Sequence, residues 1–254
     1  ESCFYDAARA FDYAERYQLP VIHLLDKALT STLQTVPPFD MQRLCIDRGI
    51  CYEPEHEAKT SAQRFAFTDS GISPRPLLGQ SGGQHWLTGV EHTQEGLVTE
   101  DPVMREQMMQ KRAHKLLQAA KDIPVDEKWR LYGDSEATLT IITWGSNKGA
   151  VLDALGRLEE EGIRARALQL RLLWPFPADE LEAILSTATP LIAVECNYSG
   201  QMHTLLKAQT GRTCEHMIVK YSGRPISGKS LYRALKQILA GNAEARIVLR
   251  NQDE

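Results

Sequence analysis

Residues Gly223-Arg224-Pro225-Ile226-Ser227-Gly228-Lys229-Ser230 match G-x-x-x-x-G-K-[ST], lie after a strand candidate and open a helix candidate. In that pattern backbone amides cradle phosphates at the helix N-terminus, Lys229 reaches the β and γ oxygens, and Ser230 holds magnesium. Two features weaken this P-loop reading. Only 24 residues follow Ser230, with no apolar strand ending in Asp, so a permuted core would have to use the strand candidate that ends at Asp26. Pro225 also removes one amide donor from the cradle. Gly79-Gln80-Ser81-Gly82-Gly83 satisfies G-x-S-x-G, but Pro74 and Pro76 precede Ser81 where a nucleophile elbow needs a strand. Gly145-Ser146-Asn147-Lys148-Gly149 joins a strand to a helix, the place where α/β sheets present amides to anions. His85, Glu91, His92 and Glu95 cluster without the i, i+4 His pair of a helical zinc site. Met104, Met108 and Met109 read as helix packing, and Glu159-Glu160-Glu161 as a solvated helix end.

The elements that position these residues follow from periodicity. Apolar Phe4, Ala7, Ala8, Phe11 and Ala14 predict a helix at the start of the chain, and Pro20 ends it. The apolar run 21–25 predicts a buried parallel strand. A helix–strand unit without a strand before it suggests the C-terminal portion of something larger. From Thr35 to Gly96 the chain is broken by Pro and Gly and reads as long loops. A helix is expected from Asp101 to Lys121, with Pro102 in its first turn. Residues 123–136 read as an interdomain linker, which divides the chain into a domain at 1–122 and a second at 137–254. In the second, strand candidates at 138–143, 164–170, 191–195 and 217–221 alternate with helix candidates at 149–161, 178–187, 201–209 and 229–240. Such alternation implies an α/β domain with a parallel sheet covered on both faces.

Composition excludes several classes. Of 254 residues 43% are hydrophobic and 24% charged, with a formal net charge of −4, as in ordinary globular proteins. Lys and Arg are not in excess in either half, so a nucleic-acid partner is not expected. The longest uncharged apolar stretch, 183–194, falls short of the ~20 residues a membrane helix requires. Five scattered cysteines, with no C-x-x-C, read as reduced thiols of a cytoplasmic protein and not as the ligands of an iron–sulfur cluster held by this chain alone.

Ordered blocks along the whole chain carry a resemblance. The run Cys3-Phe4-Tyr5-Asp6-Ala7-Ala8 through Leu19-Pro20-Val21-Ile22, then Phe67-Thr68-Asp69-Ser70-Gly71-Ile72-Ser73-Pro74-Arg75-Pro76, Thr88-Gly89-Val90-Glu91-His92 and Glu100-Asp101-Pro102 through Met109-Gln110-Lys111-Arg112, resemble the alpha subunit of 2-oxoacid:ferredoxin oxidoreductases. Thr143-Trp144-Gly145-Ser146, Pro175-Phe176-Pro177, Glu195-Cys196-Asn197-Tyr198-Ser199-Gly200-Gln201 and Lys220-Tyr221-Ser222-Gly223-Arg224-Pro225 continue it. The resemblance implies the end of a thiamine-diphosphate pyrimidine-type domain followed by a transketolase C-terminal-like domain. It also implies oxidative decarboxylation of a 2-oxoacid, with acyl transfer to coenzyme A and electrons passed through an iron–sulfur cluster to ferredoxin. Diphosphate and magnesium would be bound largely by a beta subunit, in a hetero-oligomer. The family's Tyr-Pro-Ile-Thr-Pro loop, its activating Glu and its Arg-Gly-Gly-Pro-Ser-Thr-Gly stretch lie upstream of the block at Cys3, so no catalytic residue is nominated and this chain alone is expected to be inactive. Arg75, His92 and Asn197, inside family-like blocks, are the candidates for contacts near the cofactor or between subunits. Lys220 to Pro225 belongs to a family block, which leaves a nucleotide-binding module using Gly223 to Ser230 as the alternative.

Overall fold

The computed structural model describes residues 1–53, 62–187 and 190–251, which form two compact units. The first comprises residues 1–23 and 34–122, the second 24–33 and 123–254.

In the first unit the expected helices form. Helix α1 spans Ser2–Tyr17 and is closed by Gln18 in the left-handed conformation at φ +52°. Gln18 then joins several segments. Its side chain donates to Ser73 O at 2.6 Å and accepts from Arg64 at 2.6 Å, and its carbonyl accepts from Lys115 Nζ at 3.0 Å. Helix α3, Pro102–Asp122, starts as the Asp-Pro pair predicts, with Asp101 accepting from the amides of Val103 and Met104. Its buried side chains include Met108 and Ala119. From Gln34 to Asp101 the described chain is loop, as expected for Thr35 to Gly96, with one 3₁₀ turn at Met41–Arg43. The ties are local: Cys51 bridges Arg75, His92 bridges Val98, and Glu91 binds Arg105 at 3.3 Å and Arg112 at 2.6 Å.

The expected strand at 21–25 does not form. The run has no ladder partner among the described residues and leaves Ile22 81% exposed. An apolar run becomes a strand only when neighbouring strands take its amides and carbonyls. Asp26 instead caps the short helix α2, Lys27–Ser31, through the Leu29 amide at 2.9 Å.

The second unit is a six-stranded sheet. Helix α4, Val125–Lys128, leads into β1, Trp129–Gly133. There follow β2 Leu139–Trp144, α5 Lys148–Glu160, β3 Ala165–Leu170, α6 Ala178–Thr187 and β4 Leu191–Glu195. The remainder is α7 Gln201–Thr210, β5 His216–Val219, α8 Gly228–Leu239 and β6 Arg246–Val248. The strand order is β1-β3-β2-β4-β5-β6, parallel throughout except that β1 pairs antiparallel to β3. The expected alternation of strands and helices is therefore present, and two corrections apply. Residues 129–133, expected as linker, are an edge strand of this sheet, and 246–248 add a strand at the other edge.

Period-2 alternation sorts the side chains of the central strands. Leu139, Ile141, Ile192 and Val194 pack with α5 and α8 through Leu158, Leu231 and Leu235, whereas Ile142, Leu191 and Ala193 face Leu181, Leu185 and Leu206 of α6 and α7. Each fully buried Leu or Ile contributes about 1.5–3 kcal/mol. Among the described residues no helix is long and apolar enough to cross a membrane.

Cys214, just before β5, is buried. Desolvation, reinforced by the Glu215 and Glu195 carboxylates, pushes its thiol up to about 12. A folded-state pKa above the unfolded value means that the stability is complete below the unfolded pKa and is lost as pH rises toward the folded one. The unfolding free energy, and the urea midpoint with it, should therefore fall on the alkaline side of pH 9, the free energy by of order 1 kcal/mol per pH unit from this group. Urea titrations of Cys214→Val at several pH values should show a correspondingly shallower alkaline loss.

Candidate functional site at the carboxyl edge of the sheet

Strand order reverses between β2 and β4: the chain leaves β2 toward β3 on one side and leaves β4 toward β5 on the other. In doubly wound sheets the crevice outside the carboxyl ends at such a point is where ligands bind. Here the turns after β2, β4 and β5 meet that edge. Gly145 takes φ +64° to leave β2, and the turn brings Asn147 into the interior, only 6% exposed. Asn147 Nδ2 faces Val194 O at 3.5 Å and Trp144 O at 3.4 Å, and its Oδ1 accepts from Cys196 Sγ at 3.0 Å. The neighbouring Ser146 hydroxyl donates to Asp26. The polar groups of this Gly-Ser turn thus join β2 to β4 and to α2.

Cys196 is held as a thiol. Desolvation raises its pKa, a hydrogen bond with the Ile226 backbone and the charge of Lys220 oppose the rise, and Asp26 adds to it. A protonated sulfur already donating to Asn147 is a poor nucleophile.

Beside it, Glu195 closes the apolar strand β4 as a fully buried carboxylate. One oxygen accepts from Asn197 Nδ2 at 2.7 Å and the Met202 amide at 2.9 Å, and the other from the His203 amide at 3.0 Å. Asn197 Oδ1 accepts from the Gly200 and Gln201 amides at 2.7 and 3.2 Å. Two side chains therefore satisfy four amides at the start of α7, where a bound anion would otherwise sit. Around this point Tyr198 and Tyr221 meet edge to face at 5.0 Å, with Arg246 over the Tyr198 ring at 4.9 Å.

The Gly223 to Ser230 segment does not present the geometry of a phosphate cradle. Ser227 is the N-cap of α8, accepting from the Ser230 amide at 3.1 Å, and the Ser230 hydroxyl, 2% exposed, donates back to Ser227 O at 3.0 Å. Lys220, also buried, donates to Pro225 O at 2.9 Å and fixes the preceding loop. The Ser and Gly of the pattern serve a capped helix start. Ser81 lies exposed in a turn without a strand before it or a helix after it, as its flanking prolines suggested.

Arg75 and His92 lie in the first unit and Asn197 in the second. Arg75 pairs with Glu15 through its guanidinium, while its backbone is bound to Ile50 O at 2.8 Å and the Tyr52 amide at 3.0 Å. His92 is buried, with its ring 3.8 Å from that of Phe65 and Nδ1 2.9 Å from Thr93 O. All three candidates thus have protein partners. The suggested metal cluster also disperses: His85 Nδ1 meets Gly83 O, Glu91 is held below the ordinary carboxylate range chiefly by Arg112, and Glu95 accepts from Gln63. No group of three His, Cys, Asp or Glu side chains that could hold a metal occurs among the described residues. Sequence reasoning missed Glu195 and Gln18. A lone carboxylate ending an apolar strand just before a helix was the signal for the first; nothing in the sequence marks the second.

Fold and edge geometry define an α/β protein whose second unit is a doubly wound six-stranded sheet. The model of the pyruvate flavodoxin/ferredoxin oxidoreductase thiamine diphosphate-binding domain matches residues 1–111, and that of pyruvate:ferredoxin oxidoreductase core domain II matches 137–231. The chain is 42% identical over 97% of its length to 2-oxoacid:ferredoxin oxidoreductase 2, subunit alpha, of Aeropyrum pernix, and 37% identical over 97% to the corresponding alpha subunit of Saccharolobus solfataricus. It spans 38% of the length of each of these relatives. Among solved structures it superposes with TM-score 0.79 and 29% identity on 2-oxoglutarate:ferredoxin oxidoreductase from Magnetococcus marinus, bound to 2-oxoglutarate, coenzyme A and succinyl-CoA, covering 89% of this chain and 38% of that one. The chain belongs to the 2-oxoacid:ferredoxin oxidoreductase family, in its alpha-subunit branch.

Proposed function

We propose that this chain is the alpha-subunit part of an assembly that oxidatively decarboxylates a 2-oxoacid to its acyl-CoA and passes the electrons to ferredoxin through a partner subunit. The observation that carries the reading is the pair of family matches in order, at 1–111 and 137–231, with alpha-subunit relatives aligned over 97% of the chain. Thiamine diphosphate would supply the chemistry at the keto carbon. Among the described residues no three acidic, imidazole or thiol groups come together, as the ligands of an iron–sulfur cluster would have to, while a magnesium ion held mainly by diphosphate and water would need only one or two protein oxygens. In this reading those groups, with the beta subunit, belong to the rest of a cytoplasmic hetero-oligomer. The part of the second unit is to supply a rigid sheet whose edge turns are internally satisfied, a scaffold for docking and not a reaction centre. Arg75 and His92 in the first unit, and Asn197 in the second, act as supports of loop geometry next to subunit contacts.

The test is purification of the native complex with this chain as bait, followed by coenzyme A-dependent viologen reduction across a panel of 2-oxoacids. Reduction with one acid is the expected result and names the substrate. A purified complex that reduces viologen with no acid overturns the reading.

A further inference from the structure

The first unit contains a group of cations that the oxidoreductase reading does not use. Gln107, Gln110, Lys111 and His114 fall at i, i+3, i+4 and i+7 of α3 and so share one helix face. With Phe67, Thr68, Asp69 and Gly71 they line an open pocket of about 360 Å³.

Lys111 Nζ donates to Gly71 O at 2.8 Å, Lys115 Nζ to Gln18 O at 3.0 Å, and Arg64 to Gln18 Oε1 at 2.6 Å. All three partners are neutral oxygens. Nearby Arg112 and Arg75 are paired with Glu91 and Glu15. Of the three cations Lys111 is the one that lines the pocket, whose wall also carries the Asp69 carboxylate. An ammonium has three donors, and the Gly71 carbonyl takes one. Partly desolvated positive charge without a counter-charge is unfavourable, and an anion beside it removes the penalty. The titration of Lys111 agrees: burial, then repulsion from Lys115, Arg64 and Arg112, lowers its pKa to about 8. Lys115 is lowered for the same reasons, burial first and then Arg64 and Arg112.

We propose that the pocket beside α3 is a binding site for a phosphate group, held by the Lys111 ammonium with the Gln107 and Gln110 side chains and His114 as further donors. The proposal stands independently of the oxidoreductase reading, and its test does not use turnover.

In the intact complex, lysines are trace-labelled with acetic anhydride near neutral pH and the Lys111 peptide is quantified by mass spectrometry, with inorganic phosphate or with chloride at equal ionic strength. A bound dianion covers the amine and raises its pKa; a rise of one unit alone cuts the free amine about tenfold. The expected result is protection of about that size by phosphate and none by chloride. Equal labelling in the two salts overturns the proposal, as does a Lys111 that is unreactive in both, since the cavity must then be closed to ligands. Equilibrium dialysis of labelled phosphate against Lys111→Gln gives a second readout. Loss of one bound phosphate per chain is expected, and undiminished binding overturns the assignment.

Discussion

Replacing Glu195 by alanine is expected to destabilise the second unit by about 3–5 kcal/mol, the usual cost of breaking a buried charged network. The size follows from what the carboxylate does. Helix α7 begins at Gly200, which takes φ +68° and whose absent Cβ would strike the Met217 side chain, so the residue at the N-cap position cannot carry a capping oxygen of its own. The amides of Met202 and His203 are satisfied from Glu195, seven and eight residues away, and Asn197 is oriented by the same carboxylate. Alanine removes a charge-assisted acceptor from three donors at once, and each donor left without a partner costs about 1–3 kcal/mol. It also removes negative charge from the positive end of the helix. Glu195→Gln keeps the volume and one acceptor oxygen but turns an NH₂ toward donors, so its loss should be intermediate. Urea unfolding measures the total. Hydrogen exchange localises it: protection should be lost at Met202 and His203 and kept in α5. A loss under about 1 kcal/mol in the alanine variant would mean that water or another group satisfies the helix start.

The same network shows what the sequence made legible. Strands buried on both faces announce themselves by uninterrupted apolar runs, and 191–195 was read correctly because every residue before Glu195 is apolar. Helices α5 to α8 were marked by their periodic apolar faces and by end signals such as Pro177 and Gly211. Edge strands carry less signal. β1 reads Trp-Arg-Leu-Tyr-Gly, half-exposed and charged, and its strand character comes from pairing with β3, more than thirty residues further on. β6 is only three residues long. The run 21–25 failed for the opposite reason, since its composition suits a buried strand but pairing is a property of the neighbours. For the candidate site, local patterns marked the turns at Gly145 and Ser227. Whether such a turn binds a ligand or satisfies itself depends on contacts such as Asn147 with Cys196 and Ser146 with Asp26, which sequence separation hides. The cations under α3 escaped for a similar reason: Arg64, Lys111 and Lys115 look like solvated surface charges until Gln18 and the Gly71 turn are brought against them.

Substitutions within the Gly-Lys-Ser of α8 should separate a packing role from a nucleotide role. Gly228→Val is expected to cost about 2–3 kcal/mol, at the upper part of the range for overpacking. Gly228 is the first residue of α8 and packs directly on α5: a Cβ placed there would come within 2.6 Å of Asp153 Cβ and 2.5 Å of its Cγ. Because the Asp153 Cβ is fixed to the α5 backbone, a rotamer change cannot clear the contact and the helices must move apart. Gly228→Ala should cost less, and combining it with Asp153→Ala should recover part of the loss because the crowding Cγ and carboxylate are gone. A double-mutant cycle in urea then gives a coupling energy of favourable sign. Lys229 is exposed on the same turn, and Lys229→Ala should change stability by no more than about 0.5 kcal/mol. A nucleotide site predicts the reverse ranking in a binding experiment, with heat from ATP and magnesium that vanishes in Lys229→Ala. The capped geometry, with the Ser230 hydroxyl turned back onto Ser227 O, predicts no heat with either protein. Nucleotide binding that depends on Lys229, with Gly228→Ala stable, would show that this helix start opens into a phosphate cradle despite its cap.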